Sequence, residues 1–135
     1  SVIKDSLKSI KKGKILGIFP EGGITSTELT EAKPGAVFIA SKASTKILPV
    51  SISGGDNAWD DLLKGVRSRI TVNIGKPFGP LELKGTKEKK ILKLENYSKE
   101  LMCRIAALLP DDRHGNYSND KRITNYRDEN NLDLF

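Results

Sequence analysis

Apolar and polar residues recur along the chain in patterns that predict three helices. Apolar residues at helical spacing between lysines predict a first helix over residues 2–12, and Gly13 is a natural terminator for it. A second, alanine-rich helix is predicted from Pro34 to about residue 44. The third covers residues 87–109, with candidate core contacts at Ile91, Leu92, Leu94, Leu101, Met102, Ile105, Ala106, Leu108 and Leu109.

Three short runs predict strands. Residues 15–19 are apolar enough to form a buried strand, and residues 47–53 and 70–74 are the second and third. Pro49 favours an early-strand position, an edge or a bulge, because proline donates no ladder hydrogen bond. The element order is typical of an α/β domain, and we expect a three-layer-like sheet with packing helices. Because three strands make a small sheet, we expect the rest of it to come from residues before Ser1.

The segments between these elements differ in length and polarity. Residues 20–34 form a long loop rich in Gly, Thr, Ser and Glu, and such loops in compact domains often carry function. Residues 54–63 are predicted to be a second loop. The division that we expect is a domain over residues 1–112 and a polar tail, poorly ordered, over residues 113–135.

Composition limits the class of protein. The chain has 135 residues, of which 37% are hydrophobic and 30% charged, as in a folded globular domain. No apolar run approaches the roughly 20 residues that span a bilayer. Cys103 is the one cysteine, so no internal disulfide is possible. The formal net charge of +6 favours anionic partners, although lysines on helix faces often only solvate the surface.

The stretch over residues 15–26 brings an apolar run, a carboxylate and flexible backbone to one place. Glu21 stands between Pro20 and the pair Gly22-Gly23, at the point where the predicted strand ends. Sites in open α/β sheets often lie where strands end. An ordinary turn with a solvated Glu21 is the alternative that the local pattern leaves open.

Four blocks, in order, resemble the glycerolipid acyltransferases, the family that includes the 1-acylglycerol-3-phosphate acyltransferases. Phe19-Pro20-Glu21-Gly22 resembles the third signature block, usually Phe-Pro-Glu-Gly-Thr-Arg-Ser. Residues 32–36 and the alanine-rich helix resemble the segment that follows it. Residues 47–52 resemble the fourth block, and residues 70–78 a later strand that ends in Gly-x-Pro-Phe. The resemblance covers residues 13 to 112.

This resemblance implies the C-terminal part of a glycerol-phosphate acyltransferase-type domain. It implies acyl transfer from acyl-CoA or acyl-carrier protein, as donor substrate, to a phosphate-bearing lysolipid in phospholipid biosynthesis, with no cofactor and no metal. The implied substrate-binding residues are Phe19, Pro20, Glu21, Gly22, Gly23, Thr25, Lys33 and Pro49. By resemblance Glu21 orients an acceptor hydroxyl or a cation, and backbone N–H groups at Gly22-Gly23 donate to acceptor oxygens.

Two departures from the family pattern bear on activity. Ile24 stands where the block usually has Arg, and Lys33 is the candidate substitute. The family's base, the His of a His-x-x-x-x-Asp block, is absent, since His114 is the one histidine and lies after the third block. We read His114 as a surface or tail residue. No catalytic residue is therefore assigned, and we expect a fragment whose activity needs residues before Ser1.

Three further residues have simpler expectations. Cys103, on the apolar side of the third helix, is expected to be a buried packing residue. Trp59 is expected to be a packing anchor. Asp56 follows the fourth-block strand and is either a turn-forming residue or adjacent to the site.

The alternative functions belong to other classes. A non-catalytic relative that binds lipid headgroups or a protein would also explain the missing block. A nucleic-acid-binding domain is suggested only by charge, and no recognised motif supports it. We expect peripheral or integral membrane association at the cytoplasmic face, with the lysine-rich first helix against an anionic bilayer.

Overall fold

The computed structural model describes residues 1–23 and 26–130 and contains both helices and strands. The elements are helix α1 (Val2–Lys11), α2 (Gly35–Lys42), strand β1 (Val50–Ser53), α3 (Ala58–Leu63), β2 (Thr71–Ile74), α4 (Lys87–Ala106), two 3-10 turns (Asp111–Arg113 and Gly115–Tyr117) and α5 (Arg122–Asn130). The three predicted helices are confirmed within a few residues. Helix α3 replaces part of the loop that was predicted over residues 54–63.

Local signals explain where the helices begin and end. The Ser1 hydroxyl accepts a hydrogen bond from the Lys4 N–H at the start of α1, and Thr86 does the same for Lys89 at the start of α4. Gly13, at φ +75°, follows the end of α1 in the left-handed conformation that glycine favours. These caps are visible in the sequence.

Strands β1 and β2 form an antiparallel pair in which Val50 faces Ile74 and Ser53 faces Thr71. A bridge between Ile47 and Phe78 extends the pairing beyond the two strands. Pro49 directly precedes β1, as expected from its missing donor. Among the described residues the sheet has two strands, so the three-layer arrangement stays a prediction.

The strand predicted over residues 15–19 is wrong. These residues form no strand, and Ile15 is 100% and Phe19 66% exposed. A strand requires a neighbouring strand for its backbone hydrogen bonds, and no strand in the described ranges pairs with this segment. Apolar composition favours burial but does not provide the partner.

The core lies between α4 and the elements around it. The inner side of α4 contributes Leu101, Met102, Cys103, Ile105 and Ala106, which pack with Val37 from α2 and with Phe78, Leu81 and Leu29. Ile91 and Leu92, two predicted core contacts, are 47% and 59% exposed. They lie in the first turns of α4, before it reaches the core.

Cys103 is fully buried, so the packing prediction is confirmed. Burial, together with its contact with the Asp120 carboxylate, raises the pKa of the Cys103 thiol to about 12. The thiol is therefore protonated at neutral pH and is not a nucleophile.

Residues 113–130 pack on the domain, which differs from the poorly ordered tail that their polar composition predicts. Tyr117 and Ile123 belong to the core, and α5 packs on α4. The Arg104 guanidinium lies between the Phe78 and Tyr126 rings, 4.4 Å and 4.2 Å from their centroids. This cation–π arrangement joins both helices to the segment that follows β2.

The environments predicted for His114 and Trp59 are both wrong. His114 is 3% exposed, and its Nε2 lies 3.1 Å from the Leu109 carbonyl oxygen. Trp59 is 79% exposed rather than a packing anchor. Polar neighbours predicted a surface histidine, and aromatic character predicted a buried tryptophan; long-range packing decided both.

Candidate functional site

The segment that resembles the third signature block forms a tight turn. The Gly22 N–H donates to the Phe19 carbonyl at 3.0 Å, and Gly22 has φ +80°. Left-handed backbone of this kind favours glycine. The Lys33 N–H donates to the Pro20 carbonyl at 2.8 Å, which closes the loop at its base. The fold therefore places Lys33 next to the turn, although thirteen positions separate it from Pro20 in the sequence.

Glu21 stabilises the loop over residues 20–34 by hydrogen bonds to another residue of the same loop. Its Oε2 accepts hydrogen bonds from the Thr30 N–H at 2.7 Å and from the Thr30 hydroxyl at 2.9 Å. Hydrogen bonds to a carboxylate are among the stronger ones in proteins. Glu21 thus orients a hydroxyl of the protein itself. Sequence reasoning missed Thr30, because nothing local links a loop threonine to a carboxylate nine residues earlier.

The Lys33 side chain lies against Gly22. A Cβ placed on Gly22 would be 2.7 Å from the Lys33 Nζ and 2.9 Å from its Cδ. The glycine therefore serves two purposes, since it adopts a positive φ and leaves space for the lysine. This contact places a cation at the turn whose family counterpart carries an arginine.

A cleft of about 320 Å³ opens beside this turn. Its apolar walls come from α1, the segment before the turn and α2, and consist of Val2, Leu16, Ile18, Phe19, Ala36 and Ile39. Lys33, Gly22 and Gly35 also line it. A ligand in this cleft would meet both an apolar wall and a cation.

The beginning of α2 adds favourable electrostatics for an anion. Its N-cap residue, Pro34, makes no side-chain hydrogen bond to the helix, and Gly35 and Ala36 line the cleft. The first N–H groups of a helix have no partner within the helix and carry a partial positive charge. Together with Lys33 they make this end of the cleft suited to a phosphate.

The predicted site residues separate into groups. Phe19, Pro20, Gly22 and Lys33 line the cleft, while Glu21 and Gly23 belong to the adjoining turn. Thr25 lies outside the described residues, as does Ile24. Pro49 is buried elsewhere, where its carbonyl accepts a hydrogen bond from the Gly75 N–H at 3.0 Å. It supports the β1–β2 pair and does not line the cleft.

Asp56 forms an ion pair with Arg113. Arg113 is a second residue, besides Glu21, that holds the loop over residues 20–34. The Arg113 side chain also donates to the Thr27 carbonyl at 3.0 Å. The hydrogen bond from Arg113 lowers the pKa of the Asp56 carboxyl below its usual value. Asp56 is thus neither a simple turn residue nor part of the cleft lining; it holds the arginine that fixes the loop.

Residues 1–23 and 26–130 contain no cluster of three or more His, Cys, Asp or Glu side chains that could hold a metal ion. No helix within them is both long and apolar enough to cross a membrane.

The comparisons agree with the blocks in the sequence. Residues 1–53, which include the turn, Lys33 and Pro49, match the family model described as Acyltransferase. A relative from Bacillus subtilis (strain 168), named 1-acyl-sn-glycerol-3-phosphate acyltransferase, is 35% identical over 78 residues. That match covers 58% of this chain and 37% of the relative, so the chain spans little more than a third of that relative's length. No solved structure matches the chain.

Both matches support the resemblance to the glycerolipid acyltransferases that the blocks indicate. Within the chain, the matched family segment contains every described residue of the cleft.

Replacing Gly22 by alanine tests the contact between the turn and Lys33. We expect Gly22→Ala to lower the free energy of unfolding by about 1 kcal/mol, because alanine resists a positive φ, and to displace Lys33. Gly23→Ala is the matched control, since a Cβ there meets no atom within 4 Å. Urea unfolding measures both variants, and equal losses would contradict the left-handed backbone at Gly22.

Proposed function

We propose that the protein containing this chain transfers an acyl group from acyl-CoA or acyl-carrier protein to a lysophospholipid such as 1-acylglycerol-3-phosphate. The observation that carries the proposal is the Lys33 ammonium held against Gly22 at an apolar cleft, within the segment that matches the family. The acceptor matches these two parts, since its phosphate is anionic and its acyl chain is apolar.

The ends of the acceptor fit the two parts of the cleft. The phosphate would lie at Lys33 and the first N–H groups of α2, where positive charge is concentrated. The acyl chain would lie along the wall formed by Leu16, Ile18 and Ile39, where leaving water is favourable. Glu21 would act indirectly, because its bonds to Thr30 hold the loop in place.

The chemical step needs a general base that activates the acceptor hydroxyl. His114 does not fit this role, since it is buried and its Nε2 contacts the Leu109 carbonyl. Cys103 does not fit either, because its thiol is buried and protonated. We propose that the base is the histidine of a His-x-x-x-x-Asp block outside the printed residues, and that the reaction occurs at the cytoplasmic face of a membrane.

Lys33 provides the test in the complete gene product. With acyl-CoA and 1-acylglycerol-3-phosphate in mixed micelles, we expect Lys33→Ala to raise the acceptor KM about tenfold, the size of one lost charged contact. The KM for the acyl donor should not change, and Lys33→Arg should retain most of the acceptor affinity. Release of CoA and formation of the diacyl product are the measurements.

Lys42→Ala is the control for Lys33→Ala. Lys42 lies at the other end of α2, exposed, with its Nζ 5.7 Å from the centroid of the Phe38 ring. If both variants raise the acceptor KM equally, Lys33 is not the phosphate contact. Acceptor binding without product by the complete protein would favour the non-catalytic lipid-binding alternative.

A further inference from the structure

Helix α3 directs its apolar side chains into solvent. Trp59, Leu62 and Leu63 are 79%, 65% and 84% exposed, and none of the residues of α3 is buried. Their spacing of three and four positions places them on one face of the helix. Val66, just beyond the helix, is also 55% exposed. This surface, which we call the α3 face, consists of Trp59, Leu62, Leu63 and Val66.

Basic residues border the α3 face. Lys64 follows the last residue of the helix, and Arg67 and Arg69 are exposed within the next few positions. The neighbouring acid Asp61 accepts a hydrogen bond from the Ser68 hydroxyl at 2.5 Å, so its carboxylate is tied to the turn. Asp60, on the same helix, is exposed as well, so the three basic residues stand against the two acids Asp60 and Asp61. The net charge beside the α3 face is positive and complements an anionic partner.

We propose that the α3 face is the surface by which the protein docks on an anionic lipid bilayer. Tryptophan and leucine enter the boundary between headgroups and acyl chains, and nearby Lys and Arg are attracted to anionic headgroups. The α3 face provides the apolar side chains, and the basic residues beside it provide the attraction to anionic headgroups. The proposal deepens the proposed function by naming its membrane surface, and it rests on that function only for the expectation of a lipid substrate.

Helix α1, the membrane surface that the sequence suggested, uses much of its apolar side within the protein. Ser6 is buried, and Leu7 and Ile10 are half-buried. Val2 and Ser6 line the cleft, and α1 packs on α2. Val2 and Ile3, in the first turn of α1, are 80% and 44% exposed. Helix α1 therefore offers a smaller apolar surface than the α3 face, and its lysines would add attraction to anionic lipid.

Trp59 is the only tryptophan in the sequence, so its fluorescence reports directly on the α3 face. Vesicles of phosphatidylcholine with phosphatidylglycerol should shift Trp59 emission to shorter wavelength, and phosphatidylcholine alone should do so more weakly. Brominated acyl chains should quench it. The full chain is titrated without acyl donor, so failure of acyl transfer and failure of docking are distinguishable.

Paired variants locate the surface. Leu62→Ser with Leu63→Ser should weaken vesicle binding about tenfold or more, because two side chains no longer leave water. Ile91→Ser with Leu92→Ser, exposed on α4, is the matched control and should bind as the unchanged protein does. Both pairs are exposed, and circular dichroism verifies that each variant folds.

Charge reversal separates α3 from α1. Arg67→Glu with Arg69→Glu should reduce binding to anionic vesicles more than Lys8→Glu with Lys11→Glu does. The reverse order would overturn the proposal and assign docking to α1. An absent Trp59 shift would overturn it, and so would a shift that follows protein concentration without vesicles, since the latter indicates a protein partner.

Discussion

Replacing Met102 by alanine should lower the free energy of unfolding by about 2–5 kcal/mol. Met102 is fully buried on α4, within the cluster that also contains Leu101, Cys103 and Ile105. Alanine there removes buried apolar atoms and leaves a cavity that the surrounding helices fill only in part. Natural domains are stable by only about 5–15 kcal/mol, so this one substitution would remove a large share.

The matched control for Met102 is Leu92→Ala on the same helix. Leu92 is 59% exposed, so its truncation should change the free energy of unfolding by no more than about 0.5 kcal/mol. Both variants place alanine in α4, so the gain in helix propensity is similar. Urea unfolding followed by circular dichroism measures both, and equal losses would contradict the assignment of the core to the Met102 side of α4.

The helices could be predicted from the sequence because their signals are local. Ser1 caps α1 and Thr86 caps α4, and within each helix the apolar positions repeat at helical spacing. The same is true of the ordered blocks that resemble the glycerolipid acyltransferases. The family match over residues 1–53 contains the first three of them, and the relative supports the resemblance.

The arrangement of the sheet could not be predicted in this way. Apolar runs show which residues suit burial, but they do not identify the element that buries them. Val50, Ile52, Val72 and Ile74 are exposed on β1 and β2, although the alternation in both segments is that of a half-buried strand. The opposite side carries Ser51 and Asn73, whose side chains both donate to the Leu108 carbonyl. Polar side chains thus occupy the side that faces α4.

The site shows the same division between local and long-range information. The turn at Gly22 follows from the sequence Pro-Glu-Gly-Gly, and its positive φ is as expected. The hydrogen bonds from Thr30 to Glu21 and from Arg113 to Thr27 join residues far apart in sequence. No short motif encodes such pairs, so the hydrogen bonds that hold the loop could not be predicted from the sequence.

These supports connect the C-terminal part of the chain to the cleft. The Leu29 N–H donates to the Arg113 carbonyl at 3.0 Å, and the Asn116 N–H donates to the Leu29 carbonyl at 3.1 Å. Leu29 directly precedes Thr30, which holds Glu21. The segment that composition predicted to be a tail therefore holds the loop over residues 20–34 in place. Moving this segment should also move the turn at Gly22.

Gly115 is the position at which this attachment is tightest. It has φ +50°, and a Cβ there would collide with the Leu29 carbonyl oxygen and lie 3.0 Å from the Leu29 nitrogen. We expect Gly115→Ala to lower the free energy of unfolding by about 3 kcal/mol. Roughly 1 kcal/mol comes from the positive φ and the remainder from the two backbone hydrogen bonds that Leu29 would lose.

Gly13→Ala separates the two causes, because Gly13 has φ +75° and a Cβ there meets no atom within 4 Å. It should cost only the conformational part, about 1 kcal/mol in urea unfolding. Amide hydrogen exchange at Thr30 should accelerate in Gly115→Ala and remain unchanged in Gly13→Ala, since only the former moves Leu29. If the two variants lose equal stability and Thr30 exchange is the same in both, the turn over residues 113–117 does not hold the loop, and the link between that turn and the cleft must be abandoned.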